Sequence, residues 1–84
     1  MYYVYVLQSL KDHKLYTGFS IDLRKRMSFH NKGLNKSTKY RRPLKLIYYE
    51  AYTDQRDARR REIFLKSGRG REVLSRQLEH CLIK

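Results

Sequence analysis

Apolar side chains open the chain in a pattern that suits a strand. YYVYVLQS, Tyr2 to Ser9, is rich in aromatic and β-branched residues. LKDHK follows as a turn, and LYTGF, Leu15 to Phe19, predicts the returning strand of a hairpin. Alternation puts Tyr3, Tyr5 and Leu7 on one face of the first strand, and Tyr16 and Gly18 on one face of the second. The period then changes. In DLRKRMSFHN, Leu23 and Met27 lie four apart and can face a core, and Arg26 and His30 line up along one side of the same helix. Ser20 or Asp22 can cap it. Asn31 to Pro43 has no apolar period and reads as a loop. LKLIYYEAY, Leu44 to Tyr52, predicts a third strand. Asp54 caps a helix from about Gln55 to Lys66, with Asp57 near its positive end, and SGRG ends it. Leu74, Leu78 and Leu82 step by four through a short terminal helix. The order β-β-α-β-α-α predicts an α+β fold, with a three-stranded antiparallel sheet flanked by helices, as a single domain over residues 1–84.

Composition adds a partner class. Twenty Lys and Arg against eight Asp and Glu give a net charge of +12. A domain this basic attracts polyanions, and nucleic acid is the first candidate. A solvated basic surface, or a small ribosome-associated protein, is the alternative that charge alone leaves open. No apolar run approaches the ~20 residues of a membrane span. The N-terminus lacks the basic region and cleavage site of a signal peptide. The single cysteine, Cys81, suits a reducing cytoplasm and reads as inert packing.

Two features bear on chemistry. Glu62 sits among the basic residues of ARRREIFLKSGRGR, on a helical stripe with Ala58 and Leu65 that faces inward. A carboxylate there needs something to meet its charge: an arginine, a set of donors or a metal ion. A salt bridge to Arg61 or Lys66 is the simplest answer. The second feature is the tyrosine pair Tyr5 and Tyr16, whose rings can lie side by side on the hairpin, as ordinary cross-strand packing or as chemistry.

The ordered set of these segments resembles the GIY-YIG nuclease family, its small single-domain members above all. YVY (Tyr3 to Tyr5) stands where the family has GIY, and YTG (Tyr16 to Gly18) where it has YIG. Arg26 falls ten residues after Tyr16, with His30 four later, as in the family's helix signature. ARRREIFLK matches the later helix that supplies the family's metal-binding Glu, and Glu62 falls on it. The chain departs from the pattern in three places. Tyr3 replaces the Gly of GIY, Phe19 and Ser20 stand where repair-nuclease members carry a Lys, and no Asn after Glu62 matches one found late in some members.

The resemblance implies a metal-dependent DNA endonuclease, in repair or recombination, using one Mg²⁺ or Mn²⁺ ion on Glu62. Arg26 would stabilise charge on the phosphate oxygens. Tyr16 would be the general base, although a phenol of ordinary pKa, about 10, is a weak base at neutral pH. Tyr5 would orient the water or the other phenol. His30 would bond a tyrosine, relay a proton or touch phosphate, unless it only meets the last carbonyls of its helix. Lys32, Lys36, Lys39, Arg41 and Arg42, with Tyr40 among them as a stacking ring, would guide DNA, as would Arg69 and Arg71. RNA remains an open substrate. Selectivity is low, or directed at branches, flaps and ends, or supplied by a partner protein. The alternative is a non-catalytic nucleic-acid-binding module on the nuclease fold.

Overall fold

A computed structural model describes residues 1–83. Strands β1 (Tyr2–Ser9), β2 (Leu15–Ser20) and β3 (Leu44–Tyr52) form one antiparallel sheet in the order β2-β1-β3. Helices α1 (Leu23–Asn31), α2 (Gln55–Lys66) and α3 (Gly68–Gln77) complete the α+β fold expected from the sequence, and a short 3-10 turn spans Lys39–Arg41. No helix among the described residues is long and apolar enough to cross a membrane.

The central strand divides the core. Val4 and Val6 pack with Ala58, Leu65 and Leu74 of α2 and α3 on one side of the sheet. Tyr5 and Leu7 face the other side, with Leu44, Tyr16, Leu23 and Met27. Both faces of β1 are therefore covered, and Val4 through Ser9 are all buried. That explains why its sequence reads as a continuous apolar run from Tyr2 to Leu7. Asp22, not Ser20, caps α1 by accepting from the Lys25 amide at 3.0 Å. Asp54 caps α2 in the same way through the Arg56 amide, 2.8 Å.

Two expectations need correction. SGRG ends α2 as read, but the terminal helix starts earlier than expected, leaving only Ser67 between the two helices. Ser67 closes α2 and at once caps α3, its hydroxyl accepting from the Gly70 amide at 3.1 Å. Gly68 to Arg71 are the first turn of α3, and the helix stops at Gln77, so Leu82 lies beyond it. The reason is steric. A Cβ on Gly70 would sit 1.9 Å from the Phe64 carbonyl oxygen, so glycine is what lets the two helices abut. Cys81, read as packing, is exposed.

Gly70→Ala is expected to destabilise the fold by about 1–3 kcal/mol through this overlap. Gly68→Ala, where an added Cβ meets nothing within 4 Å, should cost nothing and gain up to about 1 kcal/mol. Urea denaturation of the two variants checks the contrast.

Candidate active site

β2 is an edge strand, and the candidate residues gather around it. Tyr5 pairs with Gly18 and Leu7 with Tyr16, so the two phenol rings lie on one face, diagonal to each other, with centroids 6.4 Å apart. Glycine at position 18 makes room for the Tyr5 ring. A Cβ there would fall 2.4 Å from Tyr5 Cζ and Oη.

Tyr5 is fully buried, so its hydroxyl must find partners inside the protein. Helix α1 supplies them one turn apart. Arg26 Nε donates to Tyr5 Oη at 3.4 Å, and His30 Nε2 lies 2.8 Å from the same oxygen. His30 Nδ1 in turn meets Thr38 Oγ1 at 2.8 Å, and both residues are fully buried. Burial, with the Arg26 charge behind it, pushes the His30 imidazole down to about 4. Burial also raises the Tyr5 phenol, against the hydrogen bond from Arg26. At neutral pH the imidazole is thus uncharged, donating at one nitrogen and accepting at the other. Two roles offered for His30 fall away: it is too deep to touch phosphate, and its ring nitrogens bond Tyr5 and Thr38 rather than the carbonyls ending α1.

Glu62 lies on the buried stripe with Ala58 and Leu65, as its spacing implied. Its two oxygens accept from Arg59 Nη1 (3.1 Å) and Lys66 Nζ (2.9 Å). Arg61, the other partner suggested by the sequence, turns away and binds Glu50 at 3.1 and 3.2 Å. Arg59 also lies over the Phe19 ring, 3.7 Å from its centroid. A cation from α2 therefore stands against the position where the resemblance lacked a lysine.

These elements enclose a cleft of about 440 Å³ lined by Tyr16, Gly18, Phe19, Arg26, Arg59 and Glu62, among others. Tyr16, Arg26 and Glu62 come together there; Tyr5 and His30 stand behind them, buried. A carboxylate has about four lone-pair sites, and two of Glu62's are used by Arg59 and Lys66. No group of three or more His, Cys, Asp or Glu that could hold a metal occurs among the described residues. A single carboxylate with sites to spare fits a hard, hydrated ion such as Mg²⁺ and not a site built wholly from protein ligands.

The residues expected to guide nucleic acid are more dispersed, and none lines this cleft. Lys32 and Lys36 are exposed, and Tyr40 is 75% exposed beneath Lys39 Nζ, 4.8 Å from its ring centroid. Arg41 is tied to Asp12 at 3.2 Å, and Arg42 donates to the carbonyls of Lys39 and Asn31. Arg69 is exposed on the first turn of α3. Arg71 lines a separate and larger cleft, about 860 Å³, with Lys14, Arg41 and Arg76. That cleft holds none of the tyrosine, Arg26 or Glu62 groups, so size does not locate the chemistry here. Sequence reasoning missed Thr38 and Arg59. Arg59 carried a usable signal, standing one helical turn before Glu62; Thr38 carried none.

Comparison with known proteins places the chain's sequence and fold in a family. A family model described as the GIY-YIG catalytic domain matches residues 1–73. A UPF0213 protein of Clostridium perfringens is 45% identical over 67 residues, 79% of this chain and 71% of its own. A UPF0213 protein of Pediococcus acidilactici is 40% identical over 78 residues, 87% and 76% of the two chains. The solution NMR structure of a UPF0213 protein from Bacillus halodurans matches with a TM-score of 0.59 at 33% identity, covering 96% of this chain and 89% of that one.

The buried imidazole carries a pH signature. A histidine titrating near 4 when folded and near 6.5 when unfolded takes up its proton first in the unfolded chain. Stability should therefore fall as pH drops from about 6.5 to about 4, by something on the order of 1–3 kcal/mol, and change no further on this account below that. Urea titrations across the window check it: His30→Gln should lose that pH dependence whatever its stability at neutral pH.

Proposed function

The chain belongs to the GIY-YIG catalytic-domain family, and on that premise we propose that it is a divalent-metal-dependent endonuclease that hydrolyses phosphodiester bonds in DNA. The observation that carries this reading is the convergence of Tyr16, Arg26 and Glu62 on one cleft. Residues 1–84 act as one catalytic domain, and the exposed thiol of Cys81 suits a cytoplasmic setting.

In this mechanism Glu62, whose oxygens already accept from Arg59 and Lys66, would hold one Mg²⁺ or Mn²⁺ ion. Such an ion would supply positive charge against the phosphate and the departing 3′ oxygen. Tyr16, as phenolate, takes a proton from water; the water oxygen bonds to phosphorus as the bond to the 3′ oxygen breaks. The 3′ oxygen takes a proton from solvent, leaving a 5′ phosphate and a 3′ hydroxyl. Arg26 donates from its terminal nitrogens to the non-bridging oxygens, while its Nε is held by Tyr5. Tyr5 and His30 are positioning residues: neither reaches the cleft surface, and each fixes the group in front of it. Lys32, Lys36 and Tyr40, exposed on the loop after α1, attract and stack on the substrate with little regard to sequence. Branched or flapped DNA, or delivery by a partner protein, would supply the selectivity that a domain this small lacks.

Metal-dependent nicking of linear and branched DNA tests the proposal. Glu62→Gln and Tyr16→Phe should each lose at least about 100-fold in rate, and Arg26→Ala about 100- to 1,000-fold. Tyr5→Phe, which acts only through its neighbours, should lose about tenfold in kcat with KM little changed. Wild-type rates in the Glu62 and Tyr16 variants would refute the assignment. DNA binding without cleavage by any form would favour a binding module.

A further inference from the structure

Arg59 joins an aromatic ring, the Glu62 carboxylate and the cleft. Its guanidinium lies 3.7 Å from the centroid of Phe19, donates from Nη1 to Glu62, and lines the same cleft as Tyr16 and Arg26. A salt bridge alone does not require the ring. Lys66 already meets the second oxygen of Glu62 without one. Stacking fixes the plane of the guanidinium while leaving its in-plane donors open at the edges. A guanidinium carries five N–H donors, and the described contacts use one of them. The neighbouring arginines of α2 are occupied elsewhere: Arg60 turns to Asp57 and Arg61 to Glu50.

We infer that Arg59 is a second catalytic arginine, which keeps Nη1 on Glu62 and presents its remaining donors to the non-bridging oxygens of the scissile phosphate, opposite Arg26. This deepens the nuclease reading of the cleft and rests on it. Phe19 is then a positioning residue, holding the guanidinium flat at the cleft mouth. Two arginines reaching one phosphate from α1 and α2 would grip it across the β2 edge. The charge that grows on phosphorus oxygens in the transition state is met from both sides.

Single-turnover cleavage and metal-free binding separate this from a general basic surface. Arg59→Ala should lose about 100-fold in cleavage rate while duplex affinity falls no more than about threefold. Arg59→Lys, a conservative change at a half-exposed position, should not restore the rate, because an ammonium neither stacks flat nor forks. Phe19→Leu should lose about tenfold at unchanged affinity. Full rescue by lysine, or a rate loss matched by an equal loss of affinity, would overturn the proposal. A readout without turnover uses the Nε–H signals of arginine in nitrogen-15 NMR, with Tyr16→Phe protein titrated by a short duplex in the absence of metal. The Arg59 and Arg26 signals should shift together and saturate together, with Arg60 unmoved. Movement of Arg26 without Arg59 would sink this inference and leave the nuclease reading standing. Movement of neither, with no cleavage by wild type, would sink both.

Discussion

A phenol hydroxyl sealed at the centre of a small sheet must be satisfied by the protein, and the arrangement around Tyr5 follows from that requirement. The ring needs space on the adjacent strand, which Gly18 provides by having no side chain. The oxygen needs partners, which Arg26 and His30 provide from consecutive turns of α1. His30 then needs a partner of its own, and Thr38 reaches it from the loop that follows. One chain of hydrogen bonds thereby joins β1, α1 and the basic loop. Its outer end is Arg26, the member that lines the cleft. A buried polar chain of this kind is costly if any member is left unsatisfied. The same contacts that stabilise the interior therefore fix the direction in which Arg26 points.

The second organising element is the run Arg59-Arg60-Arg61. Successive helical residues project about 100° apart, so three like side chains meet three different surroundings. Arg59 turns to Glu62 and Phe19, Arg60 to the exposed Asp57, and Arg61 to Glu50. The last of these anchors α2 to the sheet. Tyr48 donates to Glu50 Oε2 at 2.6 Å, Tyr52 donates to the other oxygen, and Gln77 of α3 donates to Tyr48 at 3.1 Å. Burial works against the Glu50 carboxyl, but the bonds from Tyr48 and Tyr52 and the Arg61 charge outweigh it and hold it below its usual range. Burial and the Glu50 carboxylate together push the Tyr52 phenol up to about 12. Glu50 and Glu62 thus face the same arginine run in different roles: one closed within a structural network, the other opening on a cleft.

Much of this was legible in the sequence because it is periodic. Alternation placed Tyr5 with Tyr16, and helical spacing placed Arg26 with His30 and Glu62 with Ala58 and Leu65. Those pairings depend only on backbone repeat. What escaped depends on contacts between elements. Ser67 ends one helix and starts the next because Gly70 permits a close crossing, and no local propensity encodes that partner. Thr38 sits in a loop without period, and its role exists only because a buried imidazole lies opposite. Arg41 and Arg42 looked like free cations, yet Asp12 and two carbonyls engage them. Whether a charged side chain faces water or a partner distant in the chain is decided by folding, not by its neighbours in sequence.

The most direct measurement is anomalous scattering from Mn²⁺ in crystals of the Tyr16→Phe protein bound to uncut duplex DNA. The account predicts one ion, about 2.0–2.2 Å from a Glu62 carboxylate oxygen and sharing a phosphate oxygen of the bound strand, with Arg26 on that phosphate. An ion held elsewhere, or DNA bound with no metal on Glu62, would contradict it.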